Sequence, residues 1–324
     1  MKEYYLGLDL GGTKILTGLA DQEGNIIARS RRDTEAAAGE ETIIKNMILT
    51  IEDVLAKAEV NKDQIVSLGI GSPGPLDATK GIIIENANLP WKNVPLVKKM
   101  EAALGIKTLL KNDANAAALG EKWFGAGRKV DNMVYITIST GIGGGAIIER
   151  ELFNGTNDNA CEIGHTVIDP DGPLCGCGKH GCLESFASGT AIGKRAREAA
   201  AKGLSKEMLE LADQIVEDIN AVICAQAAYQ GDEVAQEIFK KAGYYLGIGL
   251  GNVINIFNPE MIILGGGVMK ASDLFLAEAL ATMKKTALSG PLEIVSVKEA
   301  ELGSDIGLMG AVAVAMEDRL VKNG

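Results

Sequence analysis

Two glycine-rich turns, each closing an apolar run, are the residues of this chain whose types and spacing most directly suit chemistry. In the first, Asp9-Leu10-Gly11-Gly12-Thr13-Lys14, an acidic residue ends the run YYLGLDL and adjacent glycines follow. Such glycines let backbone N–H groups approach phosphate oxygens, Thr13 adds a hydroxyl donor, and Asp9 is placed to hold Mg2+ through water. The pattern is neither a Walker A loop nor a GxGxxG turn before a helix, because the strand-like ILTGLAD follows it. A lone strand–glycine–strand unit is usually a plain hairpin. The second loop, Ser139-Thr140-Gly141-Ile142-Gly143-Gly144-Gly145, lies in the same setting, with the strand NMVYITIS before it and the strand AIIE, the turn REL and a strand at FNG after it. This domain-scale repeat implies two α/β halves whose glycine turns face one ligand across a cleft. A third cluster, Gly265-Gly266-Gly267 after MIIL, offers a flat backbone surface for adenine and ribose; by itself it reads as a strand-to-helix turn.

A proton acceptor is the next requirement of phosphoryl transfer. Asn112-Asp113 follows the apolar TLL and a lysine and precedes AAALGEKWFG, which places Asp113 at a strand end and a helix start. Side chains at such junctions point into ligand clefts. Aspartate there is also a good helix cap, while in a kinase site it could accept the proton of an attacking hydroxyl. Neutral sugars are held by fans of hydrogen bonds from carboxylates and amides. Asn86, Asn88, Asn112, Asp113, Glu162, His165 and Glu184 are the candidates, with Glu162 and Glu184 favoured because each adjoins a cysteine–histidine segment able to hold it rigid.

That segment carries His165, Cys175, Cys177 and Cys182, and a Cys3His set is a recognised tetrahedral zinc site. His180 lies between Cys177 and Cys182 and is an equally available fourth ligand. The cysteines are not spaced CxxC, which disfavours a redox pair. The chain has two histidines and no GxSxG elbow, which leaves a Ser-His-Asp hydrolase without support. Cys224, in the apolar run INAVICAQAA, reads as a buried small hydrophobe.

The elements that must position these groups fill two α/β domains, as 324 residues allow. Three strands are expected in the first thirty residues. A helix over 42–58 presents Ile43, Met47, Ile51, Val54 and Leu55 on one face. IVSLGIG reads as a buried strand. Helical stretches follow near 186–202, 206–228, 232–255 and 273–287, with strands at MIILGGG and at LEIVSV (292–297). GLMGAVAVAMEDRL closes the chain as a helix packing back on the first half. The expected division is 1–112 plus about 305–324 for a smaller domain and 113–304 for a larger one carrying the zinc segment.

Apolar residues make up 47%, yet none of the runs reaches the roughly 20 residues of a membrane span. The start, MKEYYLGLDL, lacks the pattern of a signal peptide, so a cytoplasmic protein is expected. A net charge of −11 argues against nucleic acid as a partner.

Taken in order, DLGGTK, SPGPLD, NDANAAALGE, STGIGGG, the stretch from EIGH to CGCGKHGCLES, and DIGLMGA resemble the ROK family of bacterial sugar kinases and repressors over essentially the whole chain. Within it, ENANLPWKNVPL and WFGAG are similar to the glucokinase branch. The resemblance implies an actin-like, ribonuclease H-like ATPase fold and ATP-dependent phosphorylation of glucose at its 6-hydroxyl, with Asp113 as general base. It implies sugar contacts from Gly74, Asn88, Asn112, Glu162, His165 and Glu184. ATP falls to Asp9, Gly11, Gly12, Thr13, Lys14, Thr140, Gly141, Gly265, Gly266 and Gly267. It gives the structural zinc to His165, Cys175, Cys177 and Cys182, choosing His165 over His180. Two departures are Cys161, where glycine or alanine is more usual, and Ser139, where glycine is usual. Family repressors carry an N-terminal helix-turn-helix; this chain starts at the phosphate-loop strand, so DNA binding is not expected. A homo-oligomer, dimer or tetramer, is.

Overall fold

The structure, a computed structural model, describes residues 2–86 and 88–323. In chain order the first part holds β1 (Tyr4–Leu10), β2 (Lys14–Ala20), β3 (Ile26–Asp33), α1 (Glu40–Ala58) and β4 (Ile65–Ser72). Then come β5 (Leu76–Asp77), β6 (Ile82–Glu85), β7 (Lys92–Val94), α2 (Leu96–Leu104), β8 (Thr108–Asn112) and α3 (Asp113–Phe124). The middle holds β9 (Met133–Ile138), β10 (Ile142–Ile148), β11 (Glu151–Leu152), α4 (Glu184–Ala187), α5 (Gly189–Ala201) and α6 (Lys206–Leu211). The last part holds α7 (Ala221–Tyr229), α8 (Glu233–Phe257), β12 (Met261–Gly265), α9 (Leu276–Thr286), α10 (Ser289–Ile294), β13 (Ser296–Glu299) and α11 (Ile306–Asn323).

The chain divides into two compact units: Met1–Met133 with Gly145–Ala160 and Ala300–Gly324, and Val134–Gly144 with Cys161–Glu299. Residues 113–133 and 145–160 thus group with the first unit, a different division from one drawn after Asn112. The reason is local: α3 packs extensively on α11, the closing helix.

In unit 1 the sheet order is β3-β2-β1-β4-β8. The hairpin pairs β1–β2 and β2–β3 are antiparallel, whereas β1–β4 and β4–β8 are parallel. Parallel neighbours need crossovers, which α1 and α2 supply. The apolar stripe of α1 is buried as its spacing predicts, with Ile43, Met47, Ile51 and Val54 at 0% exposure. On the strands it meets Leu6, Leu8, Ile15 and Leu68. The closing helix packs on β1 and β4, as expected of its small-residue sequence. Close approach is possible because Gly7 and Gly69 lack side chains: a Cβ on Gly69 would strike the Ala311 carbonyl. Ser67 Oγ then donates to Ala315 O at 2.6 Å.

One buried charge ties this unit together. Glu121, fully buried on α3, accepts the backbone N–H groups of Ala126 (2.8 Å), Glu301 (3.3 Å) and Leu302 (3.0 Å). Removing the carboxylate strands buried donors, so Glu121→Ala is expected to destabilise the protein by about 4 kcal/mol. Glu121→Gln, which keeps one acceptor oxygen, should lose about half as much. Urea unfolding followed by circular dichroism checks both values.

A second sheet is ordered β11-β10-β9-β12-β13, with β12, β13, nearly all of β9 and the start of β10 in unit 2. Helices α5, α7 and α8 pack on one another, and α8 with α9 make the most extensive helix pair. Three expectations need correction. The strand read over 292–297 begins only at Ser296; residues 289–294 are helical, Pro291 sitting in the first turn of α10 where its missing N–H is no loss. The stretch 206–228 is broken after Leu211 by left-handed residues Asp213 (φ 49°) and Gln214 (φ 66°), and restarts where Asn220 caps α7. FNG, after β11, is not a strand. Among the described residues no helix is long and apolar enough to cross a membrane.

Candidate active site

Parallel pairing in unit 1 brings the sequence candidates to one edge. Asp9 pairs in register with Gly71, and Ser72 with Asn112, so all lie at the C-terminal ends of β1, β4 and β8. This is where parallel sheets present ligand-binding groups. Asp113 follows as the first residue of α3, with Asn112 as its cap: Asn112 Oδ1 accepts the Ala114 N–H at 2.9 Å and Asp113 Oδ1 accepts it at 2.8 Å. Asp113 is therefore a member of the cap through its Oδ1. It is exposed on one side and enclosed by protein elsewhere, and the enclosure pushes its carboxyl above the ordinary range.

Asp9 responds in the same sense. Burial raises its carboxyl to about 6, the Lys14 ammonium works against the rise, and the charge of Asp113 adds to it. Its carboxylate lies against Gly307 in the first turn of α11, where a Cβ would come within 2.5 Å of Oδ2. The first glycine turn closes with Gly11 N–H donating to Lys14 O at 3.0 Å. A Cβ on Gly12 would stand 2.5 Å from that of Asn88, so the turn and Asn88 are neighbours. Asn88 is oriented through its N–H, which donates to Asn86 Oδ1 at 2.9 Å. Asn86 is buried and donates onward to Pro73 O. Gly74, before a cis Pro75, sits beside the Asn112 amide. Unit 1 thus assembles Asp9, Gly11 to Lys14, Gly74, Asn88, Asn112 and Asp113.

Unit 2 assembles the other loops. Ser139 N–H donates to Gly141 O at 2.8 Å, closing the β9–β10 turn. The N-terminus of α5 docks on it: Gly189 N–H donates to Ser139 O (2.8 Å) and Thr190 N–H to Thr140 O (3.2 Å). Gly266, at φ 96°, lies against the Ile138 backbone so closely that no side chain fits. Gly267 joins Thr140, Thr190, Val222, Phe239 and Val268 in lining a cavity of about 740 Å³. Its apolar walls and hydroxyl rim suit a nucleoside. Sequence reasoning missed the α5 and α7 contributions; the one available signal was Ser188-Gly189-Thr190, a cap followed by a glycine able to approach another backbone.

The sulfur segment is compact. The ligand atoms of His165, Cys175, Cys177 and Cys182 all lie within 4.8 Å of one another. Cys175 Sγ is 3.7 Å from His165 Nδ1, and Cys177 Sγ is 3.6 Å from Cys182 Sγ. His180 turns away and meets Gly172 O through its Nδ1 at 3.0 Å. Three thiols and an imidazole at these separations fit a tetrahedral Zn2+, the ion their softness favours. Without a metal, burial pushes the Cys175 thiol up to about 12 and raises Cys182, while the Lys179 N–H holds Cys177 down. Glu162 caps the short turn Ile163–His165, its carbonyl accepting the His165 N–H at 3.0 Å. Glu184 opens α4 and reaches the β10 start, where its Oε2 accepts the Ile142 N–H at 2.9 Å.

Residues 5–318 match the family model described as the ROK family. The chain belongs to the ROK family. A glucokinase of Thermotoga maritima is 38% identical over 96% of this chain and 97% of its own length. A ROK-family glucokinase from Streptomyces griseus, solved with glucose and AMPPNP, superposes with a TM-score of 0.80 at 34% identity, covering 97% of this chain and 99% of that one. A xylose repressor of Caldicellulosiruptor bescii is 30% identical over 97% of this chain and 78% of its own length. The fold is accordingly the actin-like ATPase fold of ROK sugar kinases. Of the two departures from the ROK pattern, Cys161 has a visible structural consequence. Its φ of 63° lies in the left-handed region, where glycine is the least strained residue. Ser139 keeps ordinary turn bonding.

Proposed function

We propose that this chain is an ATP-dependent glucokinase that converts D-glucose and ATP into glucose 6-phosphate and ADP. The observation that carries the reading is Asp113, a carboxylate at the head of α3 and the end of β8, raised by its surroundings and flanked by amides. A carboxyl raised above the ordinary range is a better proton acceptor than an ordinary one. Asp113 takes the proton of the 6-hydroxyl as that oxygen bonds to the γ-phosphorus and the bond to the β-phosphate oxygen breaks. The proton stays on the carboxylate until product leaves. Positioning and charge neutralisation supply the rest of the barrier lowering.

In this reading the hexose hydroxyls are taken by Gly74, Asn88, Asn112, Glu162, His165 and Glu184. The phosphates fall to Gly11, Gly12, Thr13, Lys14, Thr140 and Gly141, and the nucleoside to Gly265, Gly266 and Gly267. Asp9 would hold Mg2+, which would offset phosphate charge, and His165, Cys175, Cys177 and Cys182 would hold a structural Zn2+, which would stiffen the segment that carries Glu162 and Glu184. The enzyme works in the cytoplasm, in glycolysis, as a dimer or tetramer, without nucleic acid or membrane.

A coupled ADP-release assay against glucose, mannose, fructose, N-acetylglucosamine and N-acetylmannosamine tests it. The highest kcat/KM is expected on glucose. A preference for another hexose would replace the substrate and leave the kinase. The repressor relative favours one second reading, a sugar sensor: tight hexose binding with no ADP release from any of the five would establish that instead.

A further inference from the structure

Glu184 touches two places that the proposed chemistry treats separately. Its Oε2 accepts the Ile142 N–H at 2.9 Å, where the second phosphate loop enters β10. Its Oε1 lies 3.7 Å from Cys175 Sγ, a residue of the cysteine–histidine cluster. The fit against the loop is close, since a methyl group on Gly141 would run into Oε2. The backbone that carries this carboxylate is set by the metal segment, Glu184 standing two residues after Cys182. On its α5 side the loop is held at Ser139 O and Thr140 O; on its β10 side the carboxylate is the side-chain anchor.

We infer that Glu184 is a positioning residue for the donor nucleotide, holding Thr140-Gly141 in the shape that receives phosphate and joining that shape to the cysteine–histidine segment. The inference rests on the ATP-dependent reading above and goes beyond the hexose contact that the ROK resemblance gives this residue. A backbone N–H held by a carboxylate is a charge-assisted bond, stronger than a neutral one. A turn containing glycine has few other restraints, so releasing this bond lets its N–H groups point away from the phosphates. Adenosine has no phosphate for those N–H groups, and the nucleoside cavity, although it shares Thr140 with the loop, is walled by Val222, Phe239 and Val268 and not by Glu184, so adenosine should be indifferent.

The test is direct binding in the absence of sugar. AMPPNP and adenosine are titrated calorimetrically into zinc-loaded wild type, Glu184→Gln and Glu184→Ala, with metal content and thermal unfolding recorded for each. AMPPNP affinity is expected to fall roughly 10-fold in Glu184→Ala and less in Glu184→Gln, which keeps an acceptor, while adenosine affinity is unchanged. Should Glu184→Ala lose its metal or unfold, Glu184→Gln decides by the same comparison. Equal AMPPNP affinity in wild type and variants overturns the inference and leaves the kinase reading intact. Parallel loss of adenosine and AMPPNP in a folded variant also overturns it, because the effect is then not confined to phosphates. A wild type that binds neither compound removes the kinase reading and this inference with it.

Discussion

Replacing Asp113 by asparagine is expected to lower kcat by roughly 10²–10⁴-fold, the range for a lost general base, with little change in stability. Asparagine fills the same volume and still offers an oxygen to the Ala114 N–H, so the cap on α3 survives. The missing part is the ability to take up a proton. The pH profile separates this from a packing effect. Enclosure raises the Asp113 carboxyl, so its proton stays on at a pH where an ordinary aspartate has lost it. Turnover of the wild type should therefore fall as pH drops through that raised value, and the variant should lack this acidic limb. Asp9, at about 6 in the free protein, is the other carboxyl that titrates nearby, and a bound cation would pull it down. Stopped-flow or coupled assays of both proteins from pH 5 to 8 read the difference. A variant with near-normal kcat would reassign the base.

The second large effect is expected at the sulfur cluster. Wild type should carry about one zinc per chain, and Cys177→Ser should lose it, with hexose affinity falling in the same protein. The segment between His165 and Cys182 is held by short-range backbone bonds, among them Cys175 N–H to Lys179 O (2.8 Å) and Gly181 N–H to Pro173 O (2.9 Å), and by the isolated bridges Val167–Cys182 and Leu174–His180 rather than by a long helix or strand. In such segments metal binding energy is folding energy. Cys177 is exposed, so its substitution leaves the apolar core untouched and isolates the ligand effect. Elemental analysis gives the metal content and calorimetry with glucose the affinity. Metal-free Cys177→Ser protein that binds glucose as wild type does would show that zinc plays no structural part.

The chemistry of this protein was legible in the chain wherever it is local. DLGGTK and STGIGGG announce themselves because a glycine turn between strands is a short-range event, and the Ile43, Met47, Ile51, Val54 stripe follows helical period without help from the rest of the molecule. Cys175, Cys177 and Cys182 are close in sequence, so their clustering needed no fold. By spacing alone His180 had a claim beside that of His165; in the fold the ring of His180 is turned to the Gly172 carbonyl, while His165 stands among the three sulfurs. LEIVSV looked like one strand because apolar alternation in so short a run cannot distinguish a strand from a helical turn, and the partner β12 pairs only from Ser296 onward.

Tertiary structure decided the rest, and in each case through a contact between distant residues. The carboxyls of Asp9 and Asp113 are raised only because folding encloses them together, which no pattern in either segment encodes. Gly69 is required because a helix more than two hundred residues later packs on it, not because of its own turn. The bond from Ile142 to Glu184 joins a loop to the cysteine–histidine segment forty-two residues away. By itself the sequence determined which groups are present and which local turns they form; the fold determined which of them meet, because desolvation, packing and hydrogen bonding depend on neighbours in space.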